Sequence, residues 1–274
     1  RLHAGGKFNK DDGASAYRFS GGLHGVGVSV TNALSTRLEV EVVRDGARHQ
    51  MAFAGGAVVE PLRRVGDAPK KATGTRLRAW PDPVFFDSPT IPLPQLERLL
   101  RSKALLLPGL QVSLTVEDGA SSEWCFAKGM VQYLSEQLDA EMVAPVFSSE
   151  KYVAKGDETF PFGSGAAWAI CWTAEGALAR ESYVNLIPTT AGGTHEAGLR
   201  QATLDAIRSF AEHHALLPKG VKLAAEDVFA RASFVLAVRM LDPSFQGQTK
   251  ERLNSRDAVA LVARMLRDSL ELWL

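Results

Sequence analysis

Ser20-Gly21-Gly22-Leu23-His24-Gly25-Val26-Gly27, running straight into Val28-Ser29-Val30-Thr31-Asn32-Ala33-Leu34, is the stretch on which the reading of this chain turns. Four of the seven positions 21–27 are glycine. Glycine gives up the most conformational freedom on ordering and buries no side chain, so such a run does not build a core. It suits a place where backbone must come close to a ligand. The small, apolar segment after it reads as a short helix. A glycine-rich turn feeding a helix N-terminus gathers free N–H groups and the positive end of the helix dipole at one point. That is a cradle for an anion, phosphate foremost.

Two common phosphate-binding patterns do not fit. The dinucleotide fingerprint is G-x-G-x-x-G after an apolar strand, whereas the order here is G-G-x-x-G-x-G after a polar stretch. The P-loop ends in G-K-[ST], and Gly27 is followed by Val28-Ser29. The string instead resembles the nucleotide-lid motif of the bacterial type II topoisomerase ATPase subunits, GyrB and ParE, within the wider family shared with Hsp90, MutL and the histidine kinases. Other stretches resemble that family in the same order along essentially the whole chain. Leu2-His3-Ala4-Gly5-Gly6-Lys7-Phe8 resembles the start of the lid, with Lys7 at the place of a phosphate-contacting lysine. Tyr17 matches a tyrosine that contacts the adenosine, and Thr73-Gly74-Thr75 resembles the threonine motif beneath the adenine. Gln248-Thr249-Lys250 resembles the loop of the transducer domain that reaches the terminal phosphate. Gly192-Gly193-Thr194-His195, after Tyr183-Val184-Asn185, is a further shared stretch.

The resemblance implies an ATP site in which Gly21, Gly22, Leu23, His24, Gly25, Val26 and Gly27 give mainly backbone contacts. Lys7, Tyr17, Thr75, Gln248 and Lys250 would complete this chain's share of it. Lys250 would sense the γ-phosphate and stabilise the transition state. In the family the general base is a glutamate, Mg²⁺ is held by an asparagine four residues later, and an aspartate in D-x-G-x-G reads the adenine. All precede the lid, so their counterparts are expected upstream of Arg1, as is the arm that swaps between subunits. Asp11-Asp12-Gly13-Ala14-Ser15 has serine where the last glycine belongs and lies within the lid, so it reads as a polar lid insertion. The expectation is that this chain by itself does not hydrolyse ATP and carries no metal ligand. Implied partners are a ParC-type DNA-cleaving subunit in a heterotetramer of two A and two B subunits, DNA, and a second copy on ATP binding. No membrane is implied, and the setting is bacterial cytoplasm at the chromosome. The stretches 183–189 and 81–89 resemble the ParE branch more than the GyrB branch. Gyrase is the near alternative, and a non-enzymatic nucleic-acid-binding module the remote one.

Composition agrees. Apolar residues make up 46% and charged residues 23%, ordinary for a globular protein. Lys plus Arg equals Asp plus Glu at 31 each, so no global basic field announces nucleic acid, although a local patch is enough. Arg252 and Arg256 lie near Lys250, while Arg63, Arg64, Lys70 and Lys71 read as solvated loop charge. Cys125 and Cys171 lack metal-type spacing and read as reduced, partly buried thiols. No signal peptide opens the chain, and no apolar run approaches membrane-spanning length.

Alternation predicts strands over 37–44 and 47–53, joined by the turn Asp45-Gly46, then a strand over 75–80 after a basic loop and another over 111–117. Apolar spacing predicts a helix over 94–106. Together these make one antiparallel sheet with helices on a face. After a change of domain near Gly129, short helices are predicted over 130–138 and 224–231. A hairpin of 166–172 with 181–187 should turn at Glu175-Gly176, and 233–240 should be a buried strand. Thr194 should cap a long helix to about His214, and 257–273 should close the chain as an amphipathic helix. The expected class is α+β. Residues 1–128 would be an incomplete Bergerat-type (GHKL) ATPase α/β sandwich including the lid, and residues 129–274 a transducer like the second domain of ribosomal protein S5.

Overall fold

The computed structural model describes Phe19 and residues 26–274, apart from Pro89 and Asp118. The backbone gathers into two compact units that divide between Leu93 and Pro94.

The first unit opens with helix α1 (Gly27–Ala33), which buries none of its side chains. Four antiparallel strands follow: β1 (Ser35–Arg44), β2 (Ala47–Ala54), β3 (Ala57–Asp67) and β4 (Gly74–Pro81), in the order β3-β2-β1-β4. Asp45 and Gly46 have φ of 53° and 76°. Both central residues of the β1–β2 loop are therefore left-handed, as a two-residue hairpin turn requires. Register sorts the sheet into two faces. Leu38 lies opposite Phe53 and Ala79, Val40 opposite Met51 and Leu77, and Val42 opposite His49 and Thr75. The alternate residues Glu39, Glu41, Gln50, Arg76 and Arg78 share the other, charged face. Residues 57–67, expected as loop, form the longest strand of the sheet. Pro61, Gly66 and paired arginines hide the alternation, and the pairing with β2 shifts register three times. Proline, charge and bulges are how an edge strand is kept from pairing further. Arg63 and Arg64 are thus on a strand, in exposed ion pairs with Glu60 and Asp67.

The division falls after the first residue of α2 (Leu93–Leu106), and the second unit carries the rest of that helix, the small hairpin β5 (Val112–Thr115) and β6 (Ser121–Trp124), and α3 (Gly129–Gln137). Strand β5 does not join the first sheet as expected; it pairs with β6 in a sheet of two. The principal sheet has the order β10-β9-β11-β8-β7, from β7 (Phe147–Tyr152), β8 (Gly165–Trp172), β9 (Arg180–Val184), β10 (Ile187–Pro188) and β11 (Ala232–Arg239). The expected β8–β9 hairpin is absent. Strand β11 lies between the two, antiparallel to β8 and parallel to β9. Its sequence is apolar on both faces and buried nearly throughout, which suits the centre of a covered sheet better than an edge. Strand β7 falls between the short helix and the strand expected over 130–138 and 166–172, where no element was expected.

Helices α4 (Thr194–His213) and α6 (Asp257–Trp273) cover one face, where Trp168, Ile170, Phe234 and Leu236 meet Leu199, Val262 and Leu266. The alternate residues Ala169, Cys171 and Val235 form a second core with Leu105, Tyr133 and Leu134 of α2 and α3. At Gly198 the two covering helices come so close that a Cβ would lie 2.5 Å from the Val259 carbonyl oxygen. Short helix α5 (Ala225–Phe229) precedes β11, and the hairpin β12 (Phe245–Gln246) and β13 (Arg252–Leu253) precedes α6. Cys171 is fully buried, whereas Cys125 is exposed rather than half-buried. No helix among the described residues is long and apolar enough to cross a membrane.

Candidate functional site

Lys7, Tyr17, Gly21, Gly22, Leu23, His24 and Gly25 lie outside the described residues. In the first unit, Val26 and Gly27 open α1, and Thr75 stands near the start of β4 opposite Val42, on the face that carries Leu77. Gln248, Thr249 and Lys250 come together in the second unit, on the loop between β12 and β13. Gln248 and Thr249 are exposed and Lys250 partly so. Gly247 and Lys250 have φ of 81° and 59°. A left-handed lysine costs on the order of 1 kcal/mol or more, so the loop conformation must be imposed from its base.

That base is firmly tied. Phe245 pairs with Leu253 and Gln246 with Arg252. The Asn254 N–H donates to the Ser244 carbonyl at 2.8 Å, and the Ser244 N–H to the Ser255 hydroxyl at 2.8 Å. On its other side the hairpin lies against residues 191–194. The Leu253 N–H donates to the Gly192 carbonyl at 3.0 Å and the Ala191 N–H to the Glu251 carbonyl at 2.9 Å. Arg252 Nη1 donates to the Ala191 carbonyl at 3.1 Å, and Thr194 Oγ1 to the Ser255 carbonyl at 2.7 Å. Gly193 forms a parallel bridge with Leu253 at φ 145°, and a Cβ there would lie 2.3 Å from the Leu253 carbonyl oxygen. Only glycine allows that approach. Thr194 is therefore the first residue of α4, with Gly193 at the cap position, and its hydroxyl serves the hairpin rather than capping its own helix as expected.

Beneath this segment runs a buried chain of polar groups that the sequence reading missed in part. Ser182 Oγ donates to Glu196 Oε1 at 2.6 Å, Ser182 Oγ and Thr189 Oγ1 are 2.7 Å apart, and Thr189 Oγ1 and His195 Nε2 are 3.0 Å apart. The ionised carboxylate can only accept, so the order of protons follows. Ser182 gives its proton to Glu196 and accepts from Thr189, which in turn accepts from the Nε2–H of His195. His195 is wholly buried, and its Nδ1 meets no partner among the described residues. A second proton there would be buried without an acceptor, and burial pushes the imidazole down to about 4. His195 is therefore neutral through the physiological range. The doublet Gly192-Gly193 before Thr-His-Glu was the available signal. Ser182 and Thr189 carry none, because their meeting depends on the β9–β10 turn.

Two neighbours stiffen that turn. Asn185, at φ 49°, donates through Nδ2 to the Met240 carbonyl at 2.8 Å and accepts from the Met240 N–H at 3.0 Å. Lys103 Nζ donates to the Leu186 carbonyl at 2.6 Å, and burial lowers its ammonium below the ordinary lysine value. On the opposite face of β9 the hydroxyls of Tyr133 and Tyr183 both donate to the Glu181 carboxylate, and burial drives both phenols far above their usual range. Among the described residues no three His, Cys, Asp or Glu side chains converge as a metal site would need.

Residues 128–274 match the family model described as DNA gyrase B. The whole chain is 46% identical to the B subunit of DNA topoisomerase 4 from Escherichia coli and spans 42% of that relative's length. Among solved structures, the topoisomerase IV ATP-binding domain of Francisella tularensis, in complex with a small-molecule inhibitor, superposes with a TM-score of 0.74 at 36% identity. The match covers all of this chain and 69% of that one. The 43K ATPase domain of Thermus thermophilus gyrase B, in complex with an aminocoumarin, gives 0.76 at 28% identity, over 91% of this chain and 66% of that one. These neighbours identify the α+β architecture as that of the GHKL-type ATPase with its transducer-like part. The chain belongs to the DNA gyrase B family of type II topoisomerase subunits.

Proposed function

We propose that this chain is the ATP-binding and transducing portion of a topoisomerase IV-type B subunit, which uses ATP binding and hydrolysis to drive passage of one DNA duplex through another. The observation that carries the reading is Gln248-Thr249-Lys250 on a loop fixed at its base, in a chain 46% identical from end to end to the topoisomerase 4 relative. Phosphoryl transfer needs the phosphate charge met and the water aligned more than it needs covalent help. An ammonium is a compact charge suited to the γ-phosphate. Lys250 takes that role, and the Gln248 amide donates to the same group. Residues 21–27 cradle the phosphates through backbone N–H groups, Lys7 adds charge, and Tyr17 and Thr75 border the nucleoside. The functional boundary between ATPase and transducer parts lies near Gly129, a reading supported by the start of the family match at residue 128. The protein would act with a ParC-type DNA-cleaving A subunit, two of each, closing on DNA as two B subunits meet on ATP, with Mg²⁺ as cofactor, in the bacterial cytoplasm.

The test is ATP turnover and decatenation by the protein at its natural length with an A subunit. Lys250→Ala is expected to lower turnover on the order of 10²–10³-fold, the scale of losing a comparable transition-state donor. Unchanged turnover would refute the assignment. The gyrase reading is favoured by the family model and by the Thermus structure. Negative supercoiling of relaxed plasmid would establish it over topoisomerase IV.

A further inference from the structure

The motif Gly192-Gly193-Thr194-His195 has no place in the nucleotide roles above, yet it is what the Gln248–Lys250 hairpin rests against. We infer that residues 189–196 are the anchor that sets the position of that hairpin, with Thr189 and His195 as positioning residues for the γ-phosphate contact. The inference rests on the reading of Lys250 just proposed for its functional meaning, though not for its geometry.

Lys250 holds a left-handed backbone that its own side chain disfavours. The hairpin contributes only two paired positions on each strand, too few to impose this alone. Beyond the bonds that close its own base at Ser244, Asn254 and Ser255, its support comes from residues 191–194: the backbone bonds to Ala191 and Gly192, the Arg252 guanidinium on the Ala191 carbonyl, the Thr194 hydroxyl on the Ser255 carbonyl and the close approach at Gly193. Those residues form a turn without side chains large enough to fix it. The turn is fixed from below, by the Thr189 N–H donating to the Ser182 carbonyl at 2.9 Å and the Gly192 N–H to the Thr189 carbonyl at 2.8 Å. The buried chain from His195 to Glu196 locks Thr189 in turn. Each hydroxyl in the chain spends its one proton in the same direction, so removing a middle member leaves a donor and an acceptor unpaired in the interior. The helix α4 and the strand β9 thus reach the hairpin through one turn.

The experiment is amide hydrogen exchange on the 274-residue chain without nucleotide. Thr189→Val keeps the shape and removes the hydroxyl; Thr189→Ser restores it; Gly193→Ala strikes the contact itself. Thr189→Val and Gly193→Ala are expected to speed exchange at the Leu253 and Ala191 N–H groups about tenfold or more. Exchange in β8 and β11 should stay unchanged, and Thr189→Ser should recover protection. Were β8 and β11 to lose protection equally, or were the hairpin amides to stay as protected as before, the anchor would be refuted. Thr189→Val does not depend on Gly193→Ala folding. In the protein at natural length, Thr189→Val should lower kcat for ATP about tenfold with KM little changed. If Lys250→Ala leaves turnover intact while the exchange result holds, the reading of Lys250 fails and the anchor stands. If Lys250→Ala abolishes turnover and Thr189→Val leaves kcat unchanged, the positioning role fails by itself.

Discussion

Lowering the pH from 7.5 to 5 is expected to cost the second compact unit about 2 kcal/mol through His195 alone. The imidazole is held down to about 4 in the fold, against an ordinary value of 6.5, because it is buried and a proton on Nδ1 would find no acceptor. Between those two values the unfolded chain binds the proton and the folded one does not. Stability from this group is therefore fully present above pH 6.5 and is lost as the pH falls towards 4. The loss saturates at roughly 3–4 kcal/mol, since each pH unit of separation corresponds to about 1.4 kcal/mol. Trp168, Trp172 and Trp273 lie in or against the core of this unit, so urea titrations followed by tryptophan fluorescence at pH 7.5, 6 and 5 report on it. His195→Gln keeps an amide within reach of Thr189 and removes the titration. The variant has its own stability, so the comparison is between pH slopes and not between values at one pH. The wild type should weaken by about 2 kcal/mol more than the variant over this range. Equal slopes would mean that the imidazole is not buried neutral, and the proton order drawn for the Ser182–His195 chain would fall with it.

Gly198→Ala should destabilise by on the order of 2 kcal/mol, although alanine ordinarily favours a helix interior, because the new Cβ meets the Val259 carbonyl of the facing helix; a thermal midpoint equal to or above the wild type's would refute the close packing of α4 on α6. Asp157 accepts from Arg264 and from the Thr159 and Phe160 N–H groups, which hold its carboxyl far below the usual carboxylate range. Its contribution is present above the ordinary value of 3.8 and is lost as the pH falls below it. Asp157→Asn should therefore flatten the acid limb below pH 4 and leave the slope between 5 and 7.5 untouched. Tyr133→Phe and Tyr183→Phe should each cost about 1.5–3 kcal/mol, the scale for a bond to a charged group. A double-mutant cycle should show coupling, since the two hydroxyls share the Glu181 carboxylate. Additive losses would show that they act separately.

The helices were legible because their signal is local. Apolar spacing placed α2 and α6 within a residue or so of their ends, and Asp45-Gly46 declared its hairpin without outside help. Edge strands were not. In β3, Pro61 and the arginines that keep an edge from aggregating also erase the period-two pattern, so the device that protects the strand hides it. The pairing of β8 with β9 misled for a different reason. Two strands across a turn make a hairpin by default, and only the unbroken apolar run of β11 said that something had to lie between strands buried on both sides. At the candidate site, Gln248-Thr249-Lys250 was found from its resemblance and lies on one loop, while its supports were only half visible. Gly193 is required by the backbone of a strand sixty positions on, and Ser182 and Thr189 meet through a turn whose left-handed Asn185 and Leu186 no short pattern reveals.

The position of β11 sets an order of events during synthesis. Strand β8 ends at Trp172 and β9 at Val184, but the strand that joins them begins only at Ala232. At about 5–20 residues per second, roughly 3–12 s pass between the making of β8 and of its inner partner. Through that interval β8 and β9 lack the strand that covers the inner edge of each in the finished sheet, and an uncovered edge can pair with the wrong chain. Strand β11 is a keystone delivered last, and a polypeptide released from the ribosome before residue 239 leaves both edges bare.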